Sequence, residues 1–282
     1  MRPDSDQGID VVIITHNSAE VLPDCLSSLE IDPRADDEAR VVIIDSGSGD
    51  PSYLENYPCV QLHPNLGYGT CANLGAAATD AGWLVVMNPD ARISVARLRQ
   101  LTALLDAGGA DAGAPRLLDA HGAVQAPRIR AVGIKWRRRS TRNAALELTD
   151  DYTEVEVLQG SIMVFRRSSF TAVGGFDSAF FLYSEEDDLS VRMREAGSKI
   201  ILASNIYGTH VGEGSSSGVT SQWRLAQRLR GRWQYFGKHF STPEAALVIA
   251  RDLWRHRRAG GFAHALAVFR IALRNPRSGV PM

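Results

Sequence analysis

Three apolar, β-branched runs set the terms for this chain: IDVVIITHN at 9–17, RVVIIDSGSGD at 40–50 and WLVVMNPDAR at 83–92. None alternates with polar residues, so each needs cover on both faces, as a strand in a parallel sheet has. Each stops at polar or turn-forming residues. The segments between them change period. SAEVLPDCLSSLE (18–30) puts Val21, Leu22, Cys25, Leu26 and Leu29 at helical spacing, with Ser18 as a candidate cap. VQLHPNLGYGTCANLGAAATDAG (60–82) predicts a short strand, a glycine-rich turn and a small-residue helix, and Leu98, Leu101, Leu104 and Leu105 line one side of a helix near Val95–Asp106. Alternating strands and helices imply βαβ units in a mostly parallel α/β sheet with flanking helices. Ligands of such sheets bind beyond the carboxyl ends of the strands. Thr15, Asp45, Asn65 and Asp90 all fall at such ends, which makes them candidates for one site.

After Asp106 the pattern loosens. PRIRAVGIKWRRRSTR (127–142) has seven basic residues and no acid, and reads as a mobile loop or lid. VEVLQGSIMVFRRSSF (155–170) and KIILASNIYGT, before His210, return to strand character. From about Gln222, three amphipathic stretches (222–236, 243–258 and 261–274) read as helices. Charge divides the chain at the same place. Residues 221–282 hold 12 Lys plus Arg against 2 Asp plus Glu, whereas the whole chain has a net charge of −1. Two regions follow: 1–220 as the ligand-binding domain and 221–282 as a basic helical appendage. Interleaved with Trp223, Trp233, Tyr235, Phe236 and Trp254, the basic residues suit either solvated packing helices or helices lying on an anionic membrane surface. No nucleic-acid recognition motif accompanies them. The N-terminal MRPDSDQGID lacks the apolar core of a secretory signal, and no apolar run reaches the ~18 residues of a membrane span. Cys25, Cys59 and Cys71 are not in metal-ligand spacing. The expectation is a cytoplasmic protein, with the tail able to hold it at the inner face of the membrane.

Three stretches can carry chemistry. In SEEDD (184–188) four consecutive carboxylates exceed what a helix start needs, although acids there do meet the helix dipole favourably. In MNPD (87–90), Pro89 ends the strand and positions Asp90 as either a helix cap or a hard-oxygen ligand for Mg²⁺ or Mn²⁺. His210, at a strand end, is either structural or a softer ligand that would suit Mn²⁺.

The order Thr15-His16-Asn17, Asp45-Ser46-Gly47-Ser48-Gly49-Asp50, Asn65-Leu66-Gly67-Tyr68-Gly69, Asn73-Leu74-Gly75 and Asn88-Pro89-Asp90 resembles the inverting family 2 glycosyltransferases of GT-A fold. It continues through Gly174-Gly175-Phe176-Asp177, Phe181 to Leu189 and Arg192 to His210, and the later block is most similar to the bacterial rhamnosyltransferase branch. The resemblance implies that Thr15 and Asp45 face the nucleotide, with Asn17, Ser46, Asn65, Gly67, Asn73, Asn88 and Asp90 also on the donor. It implies that Asp90 and His210 bring a divalent metal to the diphosphate. It places Glu186 at the catalytic base, with Glu185 beside it, and Asp187 as the base if the register slips by one. Asn88 departs from the family's Asp-x-Asp, and Glu186 stands where Asp is usual. Gln227 and Arg230 precede Gly231, so the Q-x-x-R-W motif of processive synthases is absent. The implied activity is transfer of one sugar, L-rhamnose from dTDP-L-rhamnose as the first choice and a UDP- or GDP-hexose as the second, to a glycan, lipid-linked or small-molecule acceptor. A non-catalytic nucleotide-sugar-binding scaffold is the rival from another class.

Overall fold

Strand β1 (Ile9–Thr15) is buried at every position, and the two-residue strand period explains how. Val11 and Ile13 join the layer built with α1 (Leu22–Ser28), while Val12 and Ile14 join the opposite layer with α2 (Tyr68–Ala77). Gly75 of α2 lies so close over Val12 that a Cβ would collide with it. The computed structural model describes residues 8–32, 39–131, 150–212 and 221–273. Residues 132–142 of the expected loop or lid lie outside them.

Strands β2 (Arg40–Ser46) and β4 (Trp83–Met87) flank β1, and β3 (Cys59–Leu62) lies beyond β2, all parallel. The rest of the sheet is mixed. Strand β8 (Ile162–Arg166) runs antiparallel to β4 and to β6 (Ala112–Leu118). Strand β9 (Ile200–His210) is parallel to β6, and β5 (Ala91–Arg92) and β7 (Tyr152–Glu154) pair antiparallel with β9. Unbroken parallel order therefore holds in the first half of the sheet, whereas the second half mixes one parallel pair with antiparallel ones. A parallel neighbour needs a crossover connection, and among the described residues no helix lies between β6 and β8. The path is β3-β2-β1-β4-β8-β6-β9-β5.

Helix α3 (Val95–Ala107) is capped by Ser94, whose Oγ accepts from Arg97 N. Ser18 does not cap α1 with its side chain. Its hydroxyl bonds to the His16 backbone, and its carbonyl accepts from Val21 and Leu22 instead. Helices α4 (Arg167–Ala172) and α5 (Glu185–Glu195) complete the body. The C-terminal helices are α6 (Ser221–His239) and α7 (Thr242–Leu273), the latter broken at Gly261, which has a φ of 79°. Helix α6 is joined to the body: Phe180 packs with Tyr235 and Phe236, and Lys238 Nζ reaches Asp177 at 2.5 Å. Among the described residues no helix is long and apolar enough to cross a membrane.

Candidate active site

A cavity of about 380 Å³ opens beyond the carboxyl ends of β1, β2 and β4. Strand ends supply Thr15, His16, Ser46 and Asn88 to Asp90. The turn into α2 supplies Asn65, Gly67 and Tyr68. Glu185 and Glu186 come from the start of α5, His210 from the end of β9, and Trp223, Arg224 and Arg228 from α6. Of the residues expected on the donor, Thr15, Ser46, Asn65, Gly67, Asn88 and Asp90 border this space.

Asp45, Asn17 and Asn73 do not border it, and the reason is local in each case. Asp45 is fully buried, with Oδ1 accepting from Ser48 Oγ at 2.5 Å and Oδ2 from Ser48 N at 3.0 Å. Its charge organises the Gly/Ser turn, and Ser48 passes the order on through Tyr53 to Thr15, each contact 3.0 Å. Asn17 is exposed and accepts from Gly49 N. Asn73 clamps the backbone of Phe176 in both directions, at 2.8 and 2.9 Å.

His16 donates from Nδ1 to the Ser46 carbonyl at 2.9 Å. Burial lowers its pKa, so at neutral pH it is the uncharged ring with Nε2 as an acceptor. Asn65 Oδ1 accepts from both Ser46 Oγ and Gly67 N at 2.9 Å, which ties the end of β2 to the start of α2.

The four consecutive acids fall into distinct environments. Asp188 is wholly buried and meets Arg192, Lys238 and His239 at 2.7–2.8 Å, a knot that fastens α6 to α5. Glu185 is buried, and desolvation with the adjacent Glu186 charge holds its pKa well above the carboxylate range. Asp187 is buried and pushed up to about 7, again by desolvation and then by Glu186, against the pull of Arg128. Glu186 alone keeps a partly open side chain, 19% exposed, and borders the cavity. Arg128 Nη2 donates to Glu186 Oε1 at 3.0 Å and Nη1 to Asp187 Oδ2 at 3.1 Å. Just before α5, Tyr183 and Ser184 both take left-handed backbone, with φ of 68° and 69°, costing about 1–3 kcal/mol each. That double turn aims the acids at the cavity. It is wedged between Gly67, which abuts the Phe181 carbonyl, and Gly231 of α6, which abuts the Tyr183 carbonyl.

Across the cavity, pairing of Ala91 with His210 brings the Asn-Pro-Asp turn to the end of β9. His210 Nε2 lies 3.5 Å from Asp90 Oδ1, a buried oxygen with no hydrogen-bond partner among the described residues. Among the described residues no group of three or more His, Cys, Asp or Glu is placed to hold an ion.

His16, Tyr68, Arg128, Trp223, Arg224 and Arg228 were not among the expected site residues. Arg224 and Arg228 stand four apart and so share a helix face, but nothing in their spacing says which way that face turns. Arg128 sits in no motif.

The family model described as Glycosyl transferase family 2 matches residues 10–174, and one described as N-terminal domain of galactosyltransferase matches 140–211. Over 221 residues, covering 66% of this chain and 70% of the relative, the chain is 34% identical to an N-acetylglucosaminyl-diphospho-decaprenol L-rhamnosyltransferase of Mycobacterium tuberculosis, strains CDC 1551 / Oshkosh and ATCC 25618 / H37Rv. Among solved structures, GalNAc-T7 with UDP, GalNAc and Mn²⁺ superposes at a TM-score of 0.61 and 16% identity, over 84% of this chain. The match spans half the length of the GalNAc-T7 chain. The mannosyltransferase PcManGT from Pyrobaculum calidifontis, with GDP-Man and Mn²⁺, gives 0.57 at 15% identity, over 99% of this chain and 78% of that one. S. aureus TarS 1-349 with UDP gives 0.55 at 17%, over 91% and 74%. At these identities the structures share the fold with this chain.

Proposed function

Because the chain belongs to glycosyl transferase family 2, we propose that it moves one L-rhamnose from dTDP-L-rhamnose to a hydroxyl of a lipid-linked sugar diphosphate, with inversion. The donor and acceptor follow the 34%-identical rhamnosyltransferase. The observation that carries the chemistry is that Glu186, the one partly open acid of the four, borders the same cavity as Asp90 and His210.

A sugar hydroxyl is a weak nucleophile at neutral pH. Glu186 takes its proton as the oxygen attacks C1 of the donor sugar, and the bond from C1 to the diphosphate oxygen breaks on the opposite face. The leaving diphosphate then carries the developing charge. Arg224 and Arg228 line the cavity as cations for it. Asp90 and His210 suit a divalent ion: a buried carboxylate oxygen lacks a partner, and an imidazole nitrogen stands beside it. Burial pushes the Cys25 thiol, beneath the turn, up to about 12. Such an ion, completed by donor phosphates, would act as a Lewis acid on the diphosphate.

Region 221–282 has two jobs in this reading. Helix α6 walls the cavity. Helix α7 presents Pro243, Leu247, Ala250 and Trp254 on one exposed face, with Arg258 stacked 4.1 Å over the Trp254 ring and Arg255 and Arg257 exposed nearby. That face rests on the anionic membrane surface that carries the acceptor.

The test is a Glu186→Gln variant assayed with dTDP-L-rhamnose and a polyprenyl-diphosphate sugar. Turnover should fall about 10²–10⁴-fold while donor affinity stays near wild type. Asp187→Asn should be the milder change. Near-wild-type turnover in Glu186→Gln rejects the base. A wild-type enzyme that uses UDP- or GDP-hexoses and ignores dTDP-L-rhamnose rejects the donor.

A further inference from the structure

Arg128 lies ten residues past the end of β6, and its guanidinium forks across two successive carboxylates of α5: Glu186 Oε1 at 3.0 Å and Asp187 Oδ2 at 3.1 Å. We infer that Arg128 is a positioning residue for the transfer, holding Glu186 in one orientation, beside a fixed positive charge, so that its free oxygen faces the acceptor. The inference rests on Glu186 being the base.

The geometry favours this over a plain surface ion pair. The fork engages only Oε1 of Glu186, and Oε2 has no hydrogen-bond partner among the described residues, so one lone-pair edge stays available to the acceptor. A planar guanidinium fixes both carboxylates at once, which a lysine point charge does not. Charge makes the same case. Glu186 is adjacent to Glu185 and Asp187 on its own helix, and the buried phenol of Tyr68 on α2 feels Glu186's charge. Arg232 of α6 acts on Asp187. Arg128 is the cation bonded directly to Glu186 among the described residues. Without it, no cation is bonded to Glu186 among the described residues, and Glu185 and Asp187 flank it on its own helix.

Arg128→Met removes the charge and keeps most of the volume. Its kcat should be followed against pH across the whole acidic limb of the wild type, which reports the general base. Loss of the bonded cation should move that limb to higher pH. Turnover then drops about tenfold at the wild-type midpoint and returns to within about twofold of wild type above the shifted limb. Donor affinity by calorimetry should not change. Arg128→Lys should give an intermediate limb. A loss equal at every pH, or a limb that stays in place, overturns the inference in favour of a structural ion pair. If Arg128→Met lacks a cooperative melt, Arg128→Gln takes its place, and its limb must still move. Glu186→Gln separates the two claims. Near-wild-type turnover there removes the base and this inference together. A collapse there with an unmoved limb in the Arg128 variant removes the inference alone.

Discussion

Asp90 holds a buried carboxylate oxygen without a hydrogen-bond partner, 3.5 Å from a histidine. A buried acceptor left without a hydrogen bond costs about 1–3 kcal/mol, so such an oxygen points to another group that satisfies it. Asn88, two residues earlier, is an amide where the family carries a carboxylate, which leaves Asp90 as the sole acid of that turn. Asp90→Asn preserves shape and removes the charge. If a divalent ion sits there, Mn²⁺ should tighten dTDP-L-rhamnose binding to the wild type. Isothermal titration should show most of that gain lost in the variant, by about tenfold or more. An equal Mn²⁺ gain in both proteins, or full wild-type activity after exhaustive EDTA treatment, would place the burden of leaving-group charge on Arg224 and Arg228.

Helix α6 shows how a whole element can hold a strained turn. Gly231 lies directly against the carbonyl of Tyr183, one of two consecutive left-handed residues leading into α5, and a Cβ at that position would collide with it. Two effects compete in Gly231→Ala. Alanine in a helix interior is favoured over glycine by about 1 kcal/mol, while overpacking against backbone costs typically 1–3 kcal/mol. The carbonyl cannot rotate away as a flexible side chain would, so the clash should win. The variant should melt a few degrees lower, on the order of 1 kcal/mol of stability. Its kcat should fall more than its donor affinity, because Tyr183 and Ser184 set the direction of Glu186. A variant as stable and active as wild type would show that α6 does not support the turn.

On the scale of the molecule, the same C-terminal region faces both ways. Helix α6 turns Trp223, Arg224 and Arg228 into the cavity, whereas α7 leaves Leu247 and Trp254 about half exposed, at 52% and 51%. Deleting 221–282 would therefore open the active site and could not isolate membrane binding. Point changes can. Wild type should co-sediment with phosphatidylglycerol vesicles at low salt and be released at high salt, since each surface Arg contributes up to about 1 kcal/mol and is screened beyond a Debye length. Leu247→Ser with Trp254→Ser should weaken binding by roughly 2 kcal/mol or more, as two apolar side chains lose their burial, without altering turnover on a water-soluble acceptor analogue. Equal sedimentation of wild type and double variant would leave α7 as an ordinary solvated helix.

How much was legible depended on the range of the interaction involved. The uniformly apolar runs at 11–14, 41–44 and 83–87 carry their own instruction, because an all-apolar strand must be covered on both faces. From those runs and the helical spacing between them came the α/β class, the parallel half of the sheet and the placing of Thr15, Asn65 and Asp90 at its carboxyl edge. The antiparallel half was not legible, since strand direction there depends on how distant segments meet. Nor were the separate fates of Glu185, Glu186, Asp187 and Asp188: four neighbours in sequence differ in exposure and partners because these are set by residues far along the chain. Arg128 reaches Glu186 across 58 positions and His239 reaches Asp188 across 51. Asp45 was placed on the donor by its strand end and by family resemblance, and Asn73 by resemblance; in the fold their side chains bond Ser48 and Phe176. Local periodicity is written in a few adjacent residues, whereas a side chain's charge state and direction are fixed only when the contacts around it close.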